Sequence, residues 1–235
     1  MRDPIPGAES RPGAAGAELV LVRHGETTGE SRVRLNGRTD VPLSEVGRAQ
    51  MRRVAAALAG ESFDRVLTTP LLRARESAAI AWPTGPAVGV PAFIEVDFGN
   101  WETLTYGEAQ ARDPHLFEPD PEAAASVLRP VRDAAFRYPG GESREGFRAR
   151  IAGAVQTWLA MGRFRSAESP GGRCLAVLHK GSIRAALGAL LGPNGFAVEC
   201  DLASIHRLVL DPVSGAWTPV ALNDVAHLHP DLHLP

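Results

Sequence analysis

Apolar residues in this chain follow two alternating patterns. Short runs rich in Val, Leu and Ile read as strands: Glu18 to Val22, Asp64 to Thr68, Val88 to Val96 and Arg173 to Leu178. Between them, apolar positions recur at helical spacing. Pro42-Leu43-Ser44-Glu45 leads into a helix with Ser44 as N-cap and Val46, Ala49, Val54, Ala57 and Leu58 on its apolar side, and Gly60 can end it. Thr69-Pro70 turns the chain into a helix from about Leu71 to Ala81. A long helix runs from near Ser143 to Met161, with Phe147, Ile151, Val155, Trp158 and Leu159 at core spacing. Gly181-Ser182 opens a further helix, and Ser204 to Leu210 with Ala216 to Leu222 reads as a hairpin-like pair. Arg173 to Leu178 is apolar almost throughout, as in a central parallel strand covered on both faces. The pattern predicts an α/β fold, a three-layer α/β/α sandwich with a mostly parallel central sheet.

Two stretches break the alternation. Residues 1–17 are rich in Pro, Gly and Ala without periodicity and read as a flexible N-terminal arm, leaving 18–235 as a single domain. Tyr106 to Tyr138 reads as a helical but irregular insertion, interrupted by Pro114, Pro119, Pro121 and Pro130. An excursion of this size suits a lid or a substrate-facing rim, and suits a packed accessory helical pair equally well.

Composition narrows the classes. The 235 residues are 44% apolar, enough to bury a sizeable core. A net charge of −2 argues against a general nucleic-acid binder. Two cysteines, Cys174 and Cys200, provide neither a disulfide framework nor a zinc quartet, and Cys174 in an apolar run reads as a buried thiol. No apolar run approaches membrane-spanning length, and no h-region follows Met1-Arg2-Asp3-Pro4, so the expectation is a cytoplasmic protein, a monomer or homodimer, without membrane contact.

The candidate chemistry lies at two strand ends. Leu21-Val22-Arg23-His24-Gly25 and Val177-Leu178-His179-Lys180-Gly181 each run from apolar residues into a histidine closely followed by glycine. An unpaired charge is costly in a core, so these side chains belong at the carboxyl edge of the sheet, where open α/β sheets bind ligands. In a parallel sheet both imidazoles then face one pocket. Gly25 allows a sharp turn and leaves N–H groups for an anion, and the helix after Gly181 points its N-terminus there. With Arg23 and Arg73, the pocket collects two guanidiniums, two imidazoles and a helix end, a set suited to phosphate. His227, His229 and His233 have no acidic or Cys ligand beside them, so they read as one packed histidine and a polar tail, and no metal site is expected.

These segments resemble the histidine phosphatase superfamily, also called the phosphoglycerate mutase-like family. The matching motifs are Arg23-His24-Gly25-Glu26-Thr27, Asn36-Gly37-Arg38-Thr39-Asp40-Val41-Pro42-Leu43, Pro70-Leu71-Leu72-Arg73-Ala74, Glu95 to Glu102, Gly140-Gly141-Glu142-Ser143 and His179-Lys180-Gly181-Ser182-Ile183-Arg184. The late Leu222 to Leu228 also fits. The resemblance implies a nucleophilic His24, a proton-donating Glu95, and a phosphoryl group held by Arg23, Arg73 and His179, with Asn36 and the Gly181 N–H as further contacts. It implies no cofactor. Glu95 beside a dianion is expected to have its pKa raised by like charge, opposed by the two arginines. Four positions depart from the family pattern: Glu30 for Asn, Asn36 for Gln, Thr103 for Gly and Leu202 for Asn. Arg32, Arg34 and Arg38 suit either a solvated face or a rim for a second acidic group. The expected function is metal-independent hydrolysis of a small phosphate ester through a phosphohistidine. The alternatives are a cofactor-dependent phosphoglycerate mutase, from which Thr28-Gly29-Glu30 departs by lacking a Trp-Asn pair, and a non-catalytic phospholigand-binding module.

Overall fold

The computed structural model describes residues 17–29, 33–119, 128–130, 133, 135–160, 172–228 and 232. Residues 1–16 of the expected arm, Glu30, Arg32, His229 and His233 lie outside these residues; Ala17, expected in the arm, is buried in the core and its carbonyl accepts from the Leu210 N–H at 2.8 Å.

The first strand, β1 (Glu18–Arg23), pairs in parallel with β6 (Arg173–Leu178), which pairs in parallel with β2 (Arg65–Thr68), itself beside the short β3 (Val88–Gly89). On its other side β1 meets β7 (Ile205–Leu210) antiparallel, and β7 pairs with β8 (Trp217–Asp224). The order is β3-β2-β6-β1-β7-β8. Only β7 runs against the others.

Both faces of this sheet are covered, which is why its central strands are apolar without alternation. Leu19 and Leu21 of β1 and Cys174, Ala176 and Leu178 of β6 face one layer, built from α4 (Arg144–Ala160) and α5 (Lys180–Leu191). Val20, Val22, Leu175 and Val177 face the other, built from α1 (Glu45–Ala57) and α2 (Leu72–Ala81). Phe147, Ile151 and Val155 of α4 pack into the first layer as expected. Both cysteines are buried, and burial pushes their thiols up to about 12 for Cys174 and about 11 for Cys200. No described helix is long and apolar enough to cross a membrane.

Three expectations change. The apolar face of α1 runs through Gly47, Met51, Val54 and Leu58, while Val46 is exposed. Ser44 caps this helix as expected, accepting from the Gly47 N–H at 3.0 Å. The face is set by the 3–4 residue steps around Met51, which leave Val46 off the stripe. Val88 to Val96 is a strand only over Val88–Gly89, because Pro91 has no N–H for the ladder and begins a 3₁₀ turn, Pro91–Phe93. Among its described residues the insertion is helical only over α3 (Tyr106–Arg112) and a 3₁₀ turn, Pro114–Leu116. It then forms an antiparallel pair, β4 (Phe117–Pro119) and β5 (Leu128–Pro130). Pro119 and Pro130, two of the four prolines that interrupt its helical pattern, end these strands, and Pro114 begins the 3₁₀ turn.

Candidate active site

Register brings the two histidines together. Val22 lies opposite Val177 and Arg23 opposite Leu178, and the His24 N–H continues the ladder to the Leu178 carbonyl at 3.0 Å. The next residues, His24 and His179, therefore emerge side by side at the carboxyl edge. Their ring centroids are 5.2 Å apart.

His24 is 8% exposed, and its Nδ1 lies 2.8 Å from the Gly25 carbonyl oxygen. A carbonyl only accepts, so Nδ1 carries the proton and Nε2 of the neutral ring keeps its lone pair. Burial, then the charges of Arg73 and Arg23, hold the imidazole pKa well below its ordinary value. His179 is covered, with Nε2 2.8 Å from the Thr69 hydroxyl and Nδ1 buried without a protein partner. Burial, followed by Arg73, His24 and Arg23, likewise keeps it neutral.

Arg73, near the start of α2, is 2% exposed. Its guanidinium donates to the carbonyls of Thr39, Asn36 and Gly37 at 2.8, 2.9 and 2.8 Å. The N–H groups of the same loop point the other way: Gly37, Arg38 and Thr39 donate to the Glu102 carboxylate at 2.8–3.1 Å, joined by Phe98 at 3.1 Å. The loop thus holds a cation on its carbonyl side and an anion on its amide side. A Cβ at Gly37 would lie 2.0 Å from the Val96 carbonyl oxygen, so only glycine fits. Thr103, at the usual Gly position, has φ 67, the left-handed region in which a β-branched residue is strained. Arg75 of the same helix points to solvent. Arg23 donates to the Cys200 carbonyl at 2.7 Å, while its Nε is buried without a protein partner.

Glu95 follows β3 and the 3₁₀ turn. Its two oxygens accept from the N–H groups of Val96 and Gly181, both at 2.8 Å. Burial raises its pKa above the usual carboxylate range; those two N–H groups, Arg73 and Arg23 work against the rise. Protonation is thus favoured by burial in the protein itself, before any phosphate enters. Arg150 of α4 fixes this segment by donating to the Ala92 and Ile94 carbonyls at 2.8 and 2.9 Å and to Glu142 at 2.9 Å.

A cavity of about 530 Å³ opens over these groups, walled by Arg23, His24, Asn36, Arg73, Glu95 and Gly181 among others. The structure thus gathers the expected site residues, with His179 beside His24. Two expected anion contacts are otherwise engaged. The Gly181 N–H serves Glu95, and the Gly25 N–H donates to the Ser77 hydroxyl at 3.2 Å. Gly25 is required by close approach, since a Cβ there would lie 2.5 Å from the Gly47 carbonyl oxygen. Leu202 is buried on the wall, and Arg34 on the wall pairs with Glu108 at 3.3 Å. His227 binds the Ala203 carbonyl, and no group of three metal-ligating side chains occurs among the described residues. Sequence reasoning missed Thr69, Arg150 and the holding role of Glu102. The capping of His179 by Thr69 joins residues 110 apart, a separation no local pattern reveals.

The model of the histidine phosphatase superfamily (branch 1) matches residues 19–225. Glucosyl-3-phosphoglycerate phosphatase of Mycobacterium tuberculosis is 31% identical over 204 residues, covering 86% of both chains. A bifunctional protein of the same organism is 35% identical over 149 residues, 60% of this chain but 38% of that protein. This chain therefore spans well under half of that relative. The mycobacterial glucosyl-3-phosphoglycerate phosphatase solved with inorganic phosphate aligns at TM-score 0.73 and 26% identity, over 91% of this chain and 100% of that one. The alpha-ribazole phosphatase from Shigella flexneri aligns at TM-score 0.72 and 22% identity, over 88% and 96%, a likeness of fold alone.

Proposed function

Because the chain belongs to the histidine phosphatase superfamily, we propose that it is a metal-independent phosphomonoesterase that hydrolyses a small phosphorylated metabolite through a phosphohistidine at His24. The observation that carries this reading is the pinned tautomer: the Gly25 carbonyl fixes the proton on Nδ1 and leaves Nε2 nucleophilic. Relatives named as phosphatases support the same reaction class.

In the first step Nε2 attacks phosphorus, the Nε2–P bond forms and the P–O bond to the alcohol breaks. Charge on the equatorial oxygens is met by Arg23 and Arg73, which the fold has already oriented. His179 has Nδ1 left for a phosphoryl oxygen. Positive charge growing on the His24 ring is stabilised by the Gly25 carbonyl. Glu95 gives its proton to the departing oxygen. In the second step water attacks phosphorus, its proton returns to Glu95, and the P–N bond breaks. The guanidiniums fill the place that a metal ion takes in metallophosphatases.

Hydrolysis of p-nitrophenyl phosphate with and without EDTA tests the proposal. Equal rates are expected; loss with chelator, restored by a divalent ion, would overturn metal independence. Supplying 3-phosphoglycerate with catalytic 2,3-bisphosphoglycerate separates the classes. Rapid isomerisation with little phosphate release would assign a mutase instead.

A further inference from the structure

Two neighbouring strands deliver one further group to the site. β2 and β6 run in parallel with Leu67 opposite Ala176, so Thr69 and His179 both lie just past the carboxyl ends of adjacent strands. The Thr69 hydroxyl sits 2.8 Å from His179 Nε2 and is that nitrogen's one partner among the described residues. The other nitrogen, Nδ1, is buried without a protein partner, on a ring whose centroid lies 5.2 Å from that of His24. His179 also stands at the N-cap of α5. A side chain there commonly accepts from the first-turn N–H groups, and that of His179 does not.

A neutral imidazole carries one proton, and its two tautomers make opposite sites. With the proton on Nε2, Nδ1 is a lone pair that meets phosphoryl oxygens as acceptor against acceptor. With the proton on Nδ1, it is a donor to them. The surroundings favour the lone pair: Arg73 and Arg23 disfavour positive charge on the ring, as does the positive end of the α5 dipole. The Thr69 hydroxyl opposes them. Thr69 is 0% exposed, and Nε2 is its hydroxyl's one partner among the described residues. Accepting from an Nε2–H would leave its own O–H buried and unpaired, with or without phosphate. Donating to Nε2 leaves Nδ1–H as the waiting donor, and a phosphoryl oxygen can take it. Only the second assignment pairs every donor of the two side chains once phosphate is bound.

We infer that Thr69 is a positioning residue: its hydroxyl donates to Nε2 of His179 and so keeps the proton on Nδ1, making a neutral histidine a hydrogen-bond donor to the transferring phosphoryl group. This rests on the phosphatase reading above. His24 and His179 then share one tautomer for different ends. On His24 it frees Nε2 to attack; on His179 it supplies a donor without adding a charge to a pocket that already holds two guanidiniums.

Nitrogen NMR of the full chain labelled at its histidine rings reads the tautomer directly, with His179→Asn identifying the ring's signals by their loss. A protonated Nδ1 and a bare Nε2 are expected in the native protein and in Thr69→Ser. Thr69→Val keeps the side chain's shape and removes the donor, so its ring should shift toward Nε2–H. Inorganic phosphate probes the lost contact by calorimetry. Its Kd should rise about ten-fold or more in Thr69→Val and stay within about three-fold in Thr69→Ser, because hydrogen bonds to charged groups are the strong ones. An Nε2–H ring in the native protein, a Thr69→Val ring that still carries Nδ1–H, or a phosphate Kd unchanged in that variant would each overturn the inference. No hydrolysis of p-nitrophenyl phosphate by a native protein that shows the expected tautomer would instead overturn the phosphatase reading.

Discussion

Glu95 shows how one residue is tuned by opposed forces. Burial favours its acid form, while two N–H groups and two arginines favour the carboxylate. His24 beside it is held neutral by burial and the same arginines. On the acid side of Glu95's raised pKa the pair therefore holds a neutral imidazole beside a protonated carboxyl, as the proposed nucleophile and acid require. A proton donor matters most when the leaving group departs poorly alone. Glu95→Gln should slow phosphoenzyme formation from an alkyl phosphate about 100-fold or more, and from p-nitrophenyl phosphate far less. With the alkyl substrate the native rate should also fall as pH rises through the raised Glu95 pKa, and the variant should lose that limb. Rapid-quench measurement of the first half-reaction reads both effects. Equal slowing on both substrates would remove Glu95 as the acid. His24, His179, Arg23 and Arg73 were legible because strand ends and a helix start announce them. The source of Glu95's tuning was not, since the sequence suggested a neighbouring dianion and burial does the work before one arrives.

At the scale of elements, the site depends on a loop that has no regular structure of its own. Residues 36–39 turn their carbonyls to Arg73 and their N–H groups to Glu102. The motif was visible in the sequence, but its logic was not, because Glu102 lies 63 residues beyond Thr39. Glu102→Gln places an amide donor where donors already converge. It should lower stability by about 2 kcal/mol in urea unfolding and raise KM for phosphate esters by loosening Arg73. Unchanged stability and KM would show that the loop holds itself. The sheet itself was legible wherever strands are buried on both faces, as in β1 and β6. It was illegible at β3, where Pro91 stops an apolar run, and at β4 and β5, whose three-residue strands are too short for a periodic signal.

Across the whole molecule, charge is sorted between the two ends of the sheet. At the amino end, Glu18, Glu61, Arg173 and Arg207 neutralise one another, with contacts of 2.6–3.1 Å. At the carboxyl end, cations surround neutral histidines. Burial of histidines makes folding pH-dependent. His24, His179 and His206, the last pushed down to about 4, stay neutral in the folded chain, while the unfolded chain takes up their protons near 6.5. Below that value the unfolded state binds more protons, so stability falls by about 1.4 kcal/mol per pH unit per histidine. Glu95, with its raised pKa, acts in the opposite direction, but as one group against these three and His227, which burial also lowers. The urea midpoint should therefore be lower at about pH 5.5 than at about pH 7.5; an equal or higher midpoint would contradict the buried neutral histidines. In the proposed mechanism this arrangement serves a covalent step at His24. Labelled phosphate ester, quenched in alkali where phosphohistidine survives, should leave label on the native protein at His24. His24→Ala should carry no label and turn over no substrate. Normal turnover in that variant would contradict the account and leave Arg23-His24-Gly25 a structural turn.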